Sequence, residues 1–408
     1  MRRCSVPRVF MCCSGFCSPP GWRSRERHAP IRRGGPDVSI VRARLQPYTL
    51  PLRDAWPSAD GNVNDRRGWI LALEDGSGRM GLGDAAPFPG FGLETHASAG
   101  AGLKVAMARL VGMSRDGFAA VIADLPNLAP VAAAPTARAA IDCALHDLMA
   151  QEEGLPLARY LGGARTLLEV PANVTIPRVP PDRAAEMGRR AVNAGFGTLK
   201  LKVGGARHTE DLERLRVLRD AVGPDVRIRV DANQAWSVDE AIEALRALAI
   251  YHLEYAEQPV AADDIEGLAR VRQSSPIPIA ADETVRDVQG AEAILYRSAA
   301  DILILKPMAL GGLRQARSVL NVAIQGDMPV VVTSLLESVV GRTAAVHFAA
   351  SLGETAYAHG LATGEALRED IAPSPAMTRG SIAVPELPGL GVRPRDDFWR
   401  DAFTVEAE

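Results

Sequence analysis

Eight residues of this 408-residue chain have the types and the spacing to do chemistry together. Lys200 and Lys202 stand two apart in "TLKLKV", and side chains at that spacing on a strand share a face. Asp231 and Asn233 close "RIRVDAN", Glu257 closes "LEYAE", Asp282 and Glu283 close "IPIAADE", and Lys306 closes "DILILK". The steps Asp231 to Glu257 to Asp282 to Lys306 are 26, 25 and 24 residues, one strand-plus-helix unit each. Successive strands thus bring Asp, Glu and Asp to one level, flanked by lysines. Three converging carboxylates repel unless a cation joins them. Hard oxygen ligands with positions left for water and substrate suit magnesium, with manganese as the alternative. Desolvation, a like-charged neighbour and a metal all depress a lysine pKa. Lys200 then tunes Lys202, Lys202 is the candidate general base, and Lys306 is the second acid/base or a stabilising cation. A metal with two lysines suits removal of a proton α to a carboxylate, where a dication offsets the two negative oxygens of the enediolate. Each residue has a duller use: a strand-end Asp commonly caps a helix, and a Lys-x-Lys pair commonly lies on a solvated strand face. Such unrelated uses would not fall at one level of consecutive strands.

The elements that must position these residues are visible as a rhythm. Short β-branched runs recur at 169–176, 198–203, 227–233, 253–259, 277–283, 301–307, 329–334 and 356–360. Between them lie helical stretches such as 208–223 and 237–250, where Asp239 and Glu240 complement the positive helix end. Eight strands alternating with helices predict an α/β barrel rather than a doubly wound sheet. No Gly-rich dinucleotide turn follows the first strand. The stretches 39–52 and 67–87 alternate like antiparallel strands with a turn at Asp75-Gly76, and helices follow from about 94 to 154. The expected division is an unpatterned, disordered extension over 1–37, an α+β domain over 38–160, the barrel over 161–370, and a segment over 371–408 that returns to the first domain.

Composition excludes several function classes. Net charge is −3, which gives no electrostatic case for nucleic acid or an anionic membrane. No apolar run reaches the roughly 18 residues of a membrane-spanning helix. Four of five cysteines lie in the first 17 residues (Cys4, Cys12, Cys13, Cys17), leaving Cys143 in the body and no disulfide framework. A cytoplasmic enzyme of a small-molecule carboxylate is expected, with no nucleic-acid or membrane partner; a homo-oligomer is compatible with this. The spacing of the early cysteines does not give two Cys-x-x-Cys pairs, and the extension is read as a tail or an early start codon.

The order "KLKVG", "VDANQAW", "EQP", "ADE" and "ILKP" resembles the enolase superfamily, muconate-lactonizing branch, over roughly 38–395. The resemblance implies an N-terminal α+β capping domain and a modified TIM barrel, (β/α)7β. It implies Mg²⁺ on Asp231, Glu257 and Asp282, and acid/base roles for Lys202 and Lys306. The mandelate branch uses a His after strand seven, and "TSLLESVVG" has none. Dipeptide epimerases carry Asp-x-Asp after strand eight, which is absent here. "TSLLES", "AHGLATG" and "GDAAPFPGFGLET" resemble the o-succinylbenzoate synthases of menaquinone biosynthesis, although Ala362 and Asp84 depart from that pattern. The expected activity is therefore a lyase that eliminates water, with an N-acylamino acid racemase, dipeptide epimerase or cycloisomerase as the alternative. Ser334 and Glu337 after strand seven are candidates to hold a carboxylate or a water. Asn233 and Glu283 are candidates to orient a ligand. The loops 53–61 and 87–92 are candidates to cover the site.

Overall fold

The computed structural model describes residues 39–58, 61–205 and 208–407. The extension expected over 1–37 lies outside the described residues. The chain begins with a long hairpin of β1 (Ile40–Ser58) and β2 (Gly61–Asp75), followed by β3 (Met80–Ala85). The β2–β3 turn forms at the expected Asp75-Gly76, where Asp75 Oδ1 accepts from the amides of Ser77 and Arg79. The helix Pro135–Glu152 lies on this sheet. Contact is close enough that a Cβ on Gly83 would meet the Ala140 carbonyl oxygen at 1.8 Å. A side chain there would push the helix off the sheet.

A three-residue strand, β4 (Glu169–Pro171), leads into the barrel strands: β5 (Val174–Ile176), β6 (Thr198–Lys202), β7 (Arg227–Asp231), β8 (Leu253–Glu257), β9 (Ile279–Ala281), β10 (Ile302–Leu305) and β11 (Val330–Val332). β5 to β11 form one curled parallel sheet in chain order, with a helix after each strand. Its strands are almost wholly buried, as expected for a parallel sheet covered by helices. The helix Val238–Leu248 begins at a reciprocal cap between Ser237 and Glu240, so Glu240 does more than face the helix dipole.

The eighth strand expected at 356–360 is not a regular strand. His359 pairs with Ala172, and Gly360 pairs with Thr333, as single bridges that join the two edges of the sheet. A Cβ on Gly360 would meet Thr333 Cγ2 at 2.6 Å, so the glycine allows this closure. Beneath it Arg229, fully buried, reaches the Ala358 carbonyl at 2.8 Å and Asn173 Oδ1 at 3.0 Å.

The C-terminal segment makes two connections. β12 (Met377–Thr378) and β13 (Ser381–Ala383) form a small sheet with β4, and β14 (Phe403–Glu406) then pairs antiparallel with β1. Asp142, from the helix on the first sheet, accepts from the amide of Leu313 at 2.6 Å, at the start of the barrel helix Leu313–Gln325. A carboxylate at that helix end is favoured by the dipole and ties the two layers together. No helix among the described residues is long and apolar enough to cross a membrane.

Candidate active site

The C-terminal ends of β6, β7, β9 and β10 line a cavity of about 300 Å³, and Glu257 at the β8 end is buried against Lys200 without lining it. Each strand end delivers the charged side chain the spacing predicted. Lys200 Nζ lies 2.8 Å from Glu257 Oε1 and 3.0 Å from Asp231 Oδ2. Lys202 Nζ donates to Asp231 Oδ2 at 2.7 Å and to Asn233 Oδ1 at 2.5 Å. Lys306 pairs with both oxygens of Asp282. Asn233 Nδ2 donates to Glu283 Oε1 at 3.1 Å, which links the β7 and β9 ends across the β8 end.

The carboxylates are buried, and their charge states follow from what surrounds them. Burial alone would raise the Asp231 carboxyl, but Lys200 and Lys202 outweigh it and hold it far below the ordinary range. Burial and then the Asp231 charge push Glu257 up to about 7. Asp282 is raised by burial against the pull of Lys306. Lys200 stands between Asp231 and Glu257. Burial works against its ammonium, yet Asp231 and Glu257 more than compensate and raise its pKa well above the ordinary value. Lys200 is therefore a fixed cation beside Lys202.

The donor set fits a divalent cation. Among the described residues no three His, Cys, Asp or Glu side chains already form a closed metal cage. The lysines instead occupy the carboxylates. Glu257 Oε2 is buried and accepts no hydrogen bond. An unpartnered buried carboxylate oxygen is costly, and a hard cation held by Asp231, Glu257 and Asp282 would satisfy it.

Two further groups shape the site. Ser334 lines the cavity, and its hydroxyl lies 2.5 Å from that of Thr363. Glu337 does not line it. Its carboxylate folds back to accept from the Leu335 amide and sits in the interface with the first domain, where burial lifts it to about 7. The sequence identified the residue type there but not its direction. Of the two expected covering loops, 87–92 contributes Phe88, Gly90 and Phe91 to the cavity wall. The other, 53–61, includes residues 59 and 60, which lie outside the described residues.

Several supporting residues were not among the site candidates drawn from the sequence. Gln258, fully buried with φ 37°, accepts from the Asp282 amide at 2.9 Å and donates to Thr284 Oγ1 at 2.9 Å. It thereby sets the β9 end against the β8 end. Arg66 from β2 donates to the carbonyls of Ala86, Pro87 and Leu336, joining the covering loop to the loop after β11. Asp84 accepts from Tyr48 Oη at 2.9 Å and from Ser338 Oγ at 2.7 Å, at the cap of the helix Val339–Ser351.

Comparison with known proteins agrees with this architecture. Residues 47–162 match the mandelate racemase / muconate lactonizing enzyme N-terminal domain, and residues 182–398 match the enolase C-terminal domain-like family. The L-Ala-D/L-Glu epimerase of Bacillus subtilis is 33% identical over 87% of this chain and 97% of its own. An o-succinylbenzoate synthase of Thermobifida fusca is 41% identical, but over 51% of this chain and 64% of its own. The crystal structure of a dipeptide epimerase from Cytophaga hutchinsonii, complexed with Mg and the dipeptide D-Ala-L-Val, superposes with a TM-score of 0.82 at 29% identity, covering 90% of this chain and 99% of that one. The chain is an enzyme of the enolase superfamily and belongs to its mandelate racemase and muconate lactonizing enzyme family.

Proposed function

We propose that this enzyme moves a proton on and off the carbon α to a carboxylate, and that its main reaction is epimerisation or racemisation of an N-acylated amino acid or dipeptide. The observation that carries this reading is the placement of Lys202 and Lys306. They end β6 and β10, four staves apart in a ring of eight positions, and so address a carbon in the cavity from opposite sides. A lysine on each face is what inversion at one carbon needs: one takes the proton while the other returns one. Similarity over nearly the whole length to dipeptide epimerases supports the same reading.

The roles of this chain's residues follow. Lys202, in its neutral form, removes the α-proton from one face. Lys306, as an ammonium, delivers a proton from the other, and the roles exchange in the reverse direction. Asn233 holds the Lys202 nitrogen, which fixes its place rather than leaving it to sample rotamers. Lys200 adds a fixed positive charge beside Asp231 and Glu257. Asp231, Glu257 and Asp282 would hold Mg²⁺, which when bound supplies positive charge against the anion formed as the proton leaves. Phe88 and Phe91 exclude water above the lysines.

A second reading is dehydration of a cyclohexadiene carboxylate to o-succinylbenzoate. The higher identity of the partial synthase match favours it, as does the lack of Asp-x-Asp at the strand-eight end. There Lys202 alone moves the proton, and Lys306 serves as a cation. A ¹H NMR time course in D₂O with Mg²⁺ tests both. Fast α-deuterium incorporation with loss of optical purity in amino-acid substrates supports the isomerase. Rapid aromatisation with slow exchange in those substrates overturns it in favour of the lyase.

A further inference from the structure

Outside the charged ring, the cavity is chemically lopsided. Its wall there mixes apolar side chains such as Phe88, Phe91 and Leu335 with neutral polar ones such as Thr175 and Ser334, and among the described lining residues it carries one formal charge, the guanidinium of Arg178. Within the ring, Lys200, Lys202 and Lys306 answer Asp231, Glu257 and Asp282, while Glu283 gives Oε1 to Asn233 and keeps a buried, unpartnered Oε2. Outside the ring no carboxylate lines the described wall, so none there receives an ammonium on the far end of a substrate. A free amino group would instead meet Arg178.

Arg178 is built to receive an anion. It lies in the loop between β5 and the helix Pro181–Asn193, with Pro177 before it and Pro180 and Pro181 after it. Three prolines in five positions restrict φ and reduce the entropy lost when the loop holds a ligand. The side chain is exposed, and Nη1 donates to the Gly204 carbonyl at 3.1 Å. Among the described residues no carboxylate forms an ion pair with it, so most of its five donors are open to a ligand. A guanidinium fork matches a carboxylate in a bidentate way.

We infer that Arg178 is a specificity-determining residue that receives a second, distal carboxylate, so that the site selects dicarboxylates such as N-succinyl amino acids over N-acetyl amino acids and free-amino dipeptides. The inference rests on the proposed chemistry at the α-carbon, which occupies the first carboxylate in the ring. It serves both readings of the reaction, because o-succinylbenzoate also carries two carboxylates.

The test measures binding and turnover separately. Titration calorimetry with Mg²⁺ present compares N-succinyl-L-phenylalanine, N-acetyl-L-phenylalanine and L-alanyl-L-phenylalanine on the wild type, Arg178→Met and Arg178→Lys. The wild type is expected to bind the succinyl compound about tenfold or more tightly than the acetyl one, a usual value for a charge-assisted pair. Arg178→Met should lose that preference and bind the acetyl compound unchanged, with Arg178→Lys between them. In deuterium-exchange kinetics, Arg178→Met should raise KM for the succinyl compound and leave kcat. Equal affinities in the wild type, a preference that survives in Arg178→Met, or tighter binding of the dipeptide would overturn the inference. A succinyl preference that depends on Arg178, together with no exchange in any of the three, would support the Arg178 assignment and overturn the proposed isomerase reaction instead.

Discussion

The ammonium of Lys306 lies 4.5 Å from the centre of the Phe91 ring. The lysine ends a barrel strand, and the phenylalanine belongs to the short turn Pro89–Phe91 of the N-terminal domain. One of the two proposed acid/base groups is thus covered by an aromatic face from the other domain. A cation so placed is favoured by the ring quadrupole and shielded from water.

Phe91→Ala should therefore weaken catalysis without unfolding the protein. A partly desolvated cation–π contact contributes about 1–2 kcal/mol, which corresponds to roughly a 5- to 30-fold fall in kcat/KM. Phe91→Tyr should retain most of the activity. Steady-state kinetics on the two variants, with thermal melts as a control, checks this. An equal loss in both variants would place the effect in packing and not in the ring face.

Lys202→Ala and Lys306→Ala should each abolish racemisation, by about 10²- to 10⁴-fold or more. They should differ in α-proton exchange. If the lysines serve opposite faces, each variant retains exchange with the enantiomer whose proton points to the surviving lysine. Incubating each enantiomer in D₂O with each variant reads this directly. Loss of exchange with both enantiomers only in Lys202→Ala would indicate that Lys306 acts as a cation, the lyase pattern.

What could be read in the sequence, and what could not, divides along physical lines. The ring could be read because charged residues recur every 24 to 26 positions at the ends of apolar strands, a local pattern repeated several times. Arg66 could not. It is 2% exposed, whereas the side chain of its neighbour Arg67 is 63% exposed. Nothing in "NDRRGW" distinguishes them, because what buries Arg66 includes the Leu336 carbonyl, 270 residues away. Gln258 is similar: its hydrogen bonds to the Asp282 amide and Thr284 depend on the neighbouring strand, not on its own segment. The strand expected at 356–360 has the right composition, but closure of the sheet uses only two bridges there.

Metal should stabilise the protein as well as activate it. A ligand that binds only the folded state adds about 2.7 kcal/mol at a concentration 100 times its Kd. Mg²⁺ should therefore raise the melting temperature of chelator-treated wild type, and activity should return in parallel. Glu257→Gln should lose much of that shift, since its carboxylate supplies the unpartnered buried oxygen. A full Mg²⁺-dependent rise in Glu257→Gln would remove this residue from the ligand set.

Arg66→Lys should be poorly tolerated despite keeping the charge. The guanidinium serves the Leu336, Pro87 and Ala86 carbonyls at once, at 3.2, 3.0 and 3.0 Å, and stacks on the Phe88 ring. An ammonium cannot reproduce that planar fork. Leu336 has φ 62°, a strained value for a branched side chain, and loses the hydrogen bond to its carbonyl. A loss of about 2–3 kcal/mol in stability is expected, with a rise in KM because Leu336 and Phe88 both line the cavity. Denaturant melts and kinetics check the two effects, and a stability loss with unchanged KM would show that the clasp does not shape the pocket.

Glu337 gives the fold a pH dependence whose sign can be worked out. Burial raises its carboxyl from the ordinary 4.5 to about 7 in the folded state, with the nearby Asp84 charge adding to the rise. Between those two values the folded state holds the proton more tightly than the unfolded chain does. Stability from this group therefore falls as pH rises from about 4.5 to about 7, then stays level. A tenfold change in proton affinity corresponds to about 1.4 kcal/mol, so the full effect is on the order of 3 kcal/mol. Glu337→Gln keeps an oxygen that can accept from the Leu335 amide and removes the titration. Its stability relative to wild type should therefore rise across that interval, since only the wild type must bury a charge at high pH. Urea melts of both proteins from pH 4 to pH 8 measure the difference, and parallel curves would show that folding does not shift the Glu337 carboxyl. Asp84, lifted by burial to about 6, should add a similar but smaller slope that Glu337→Gln leaves in place.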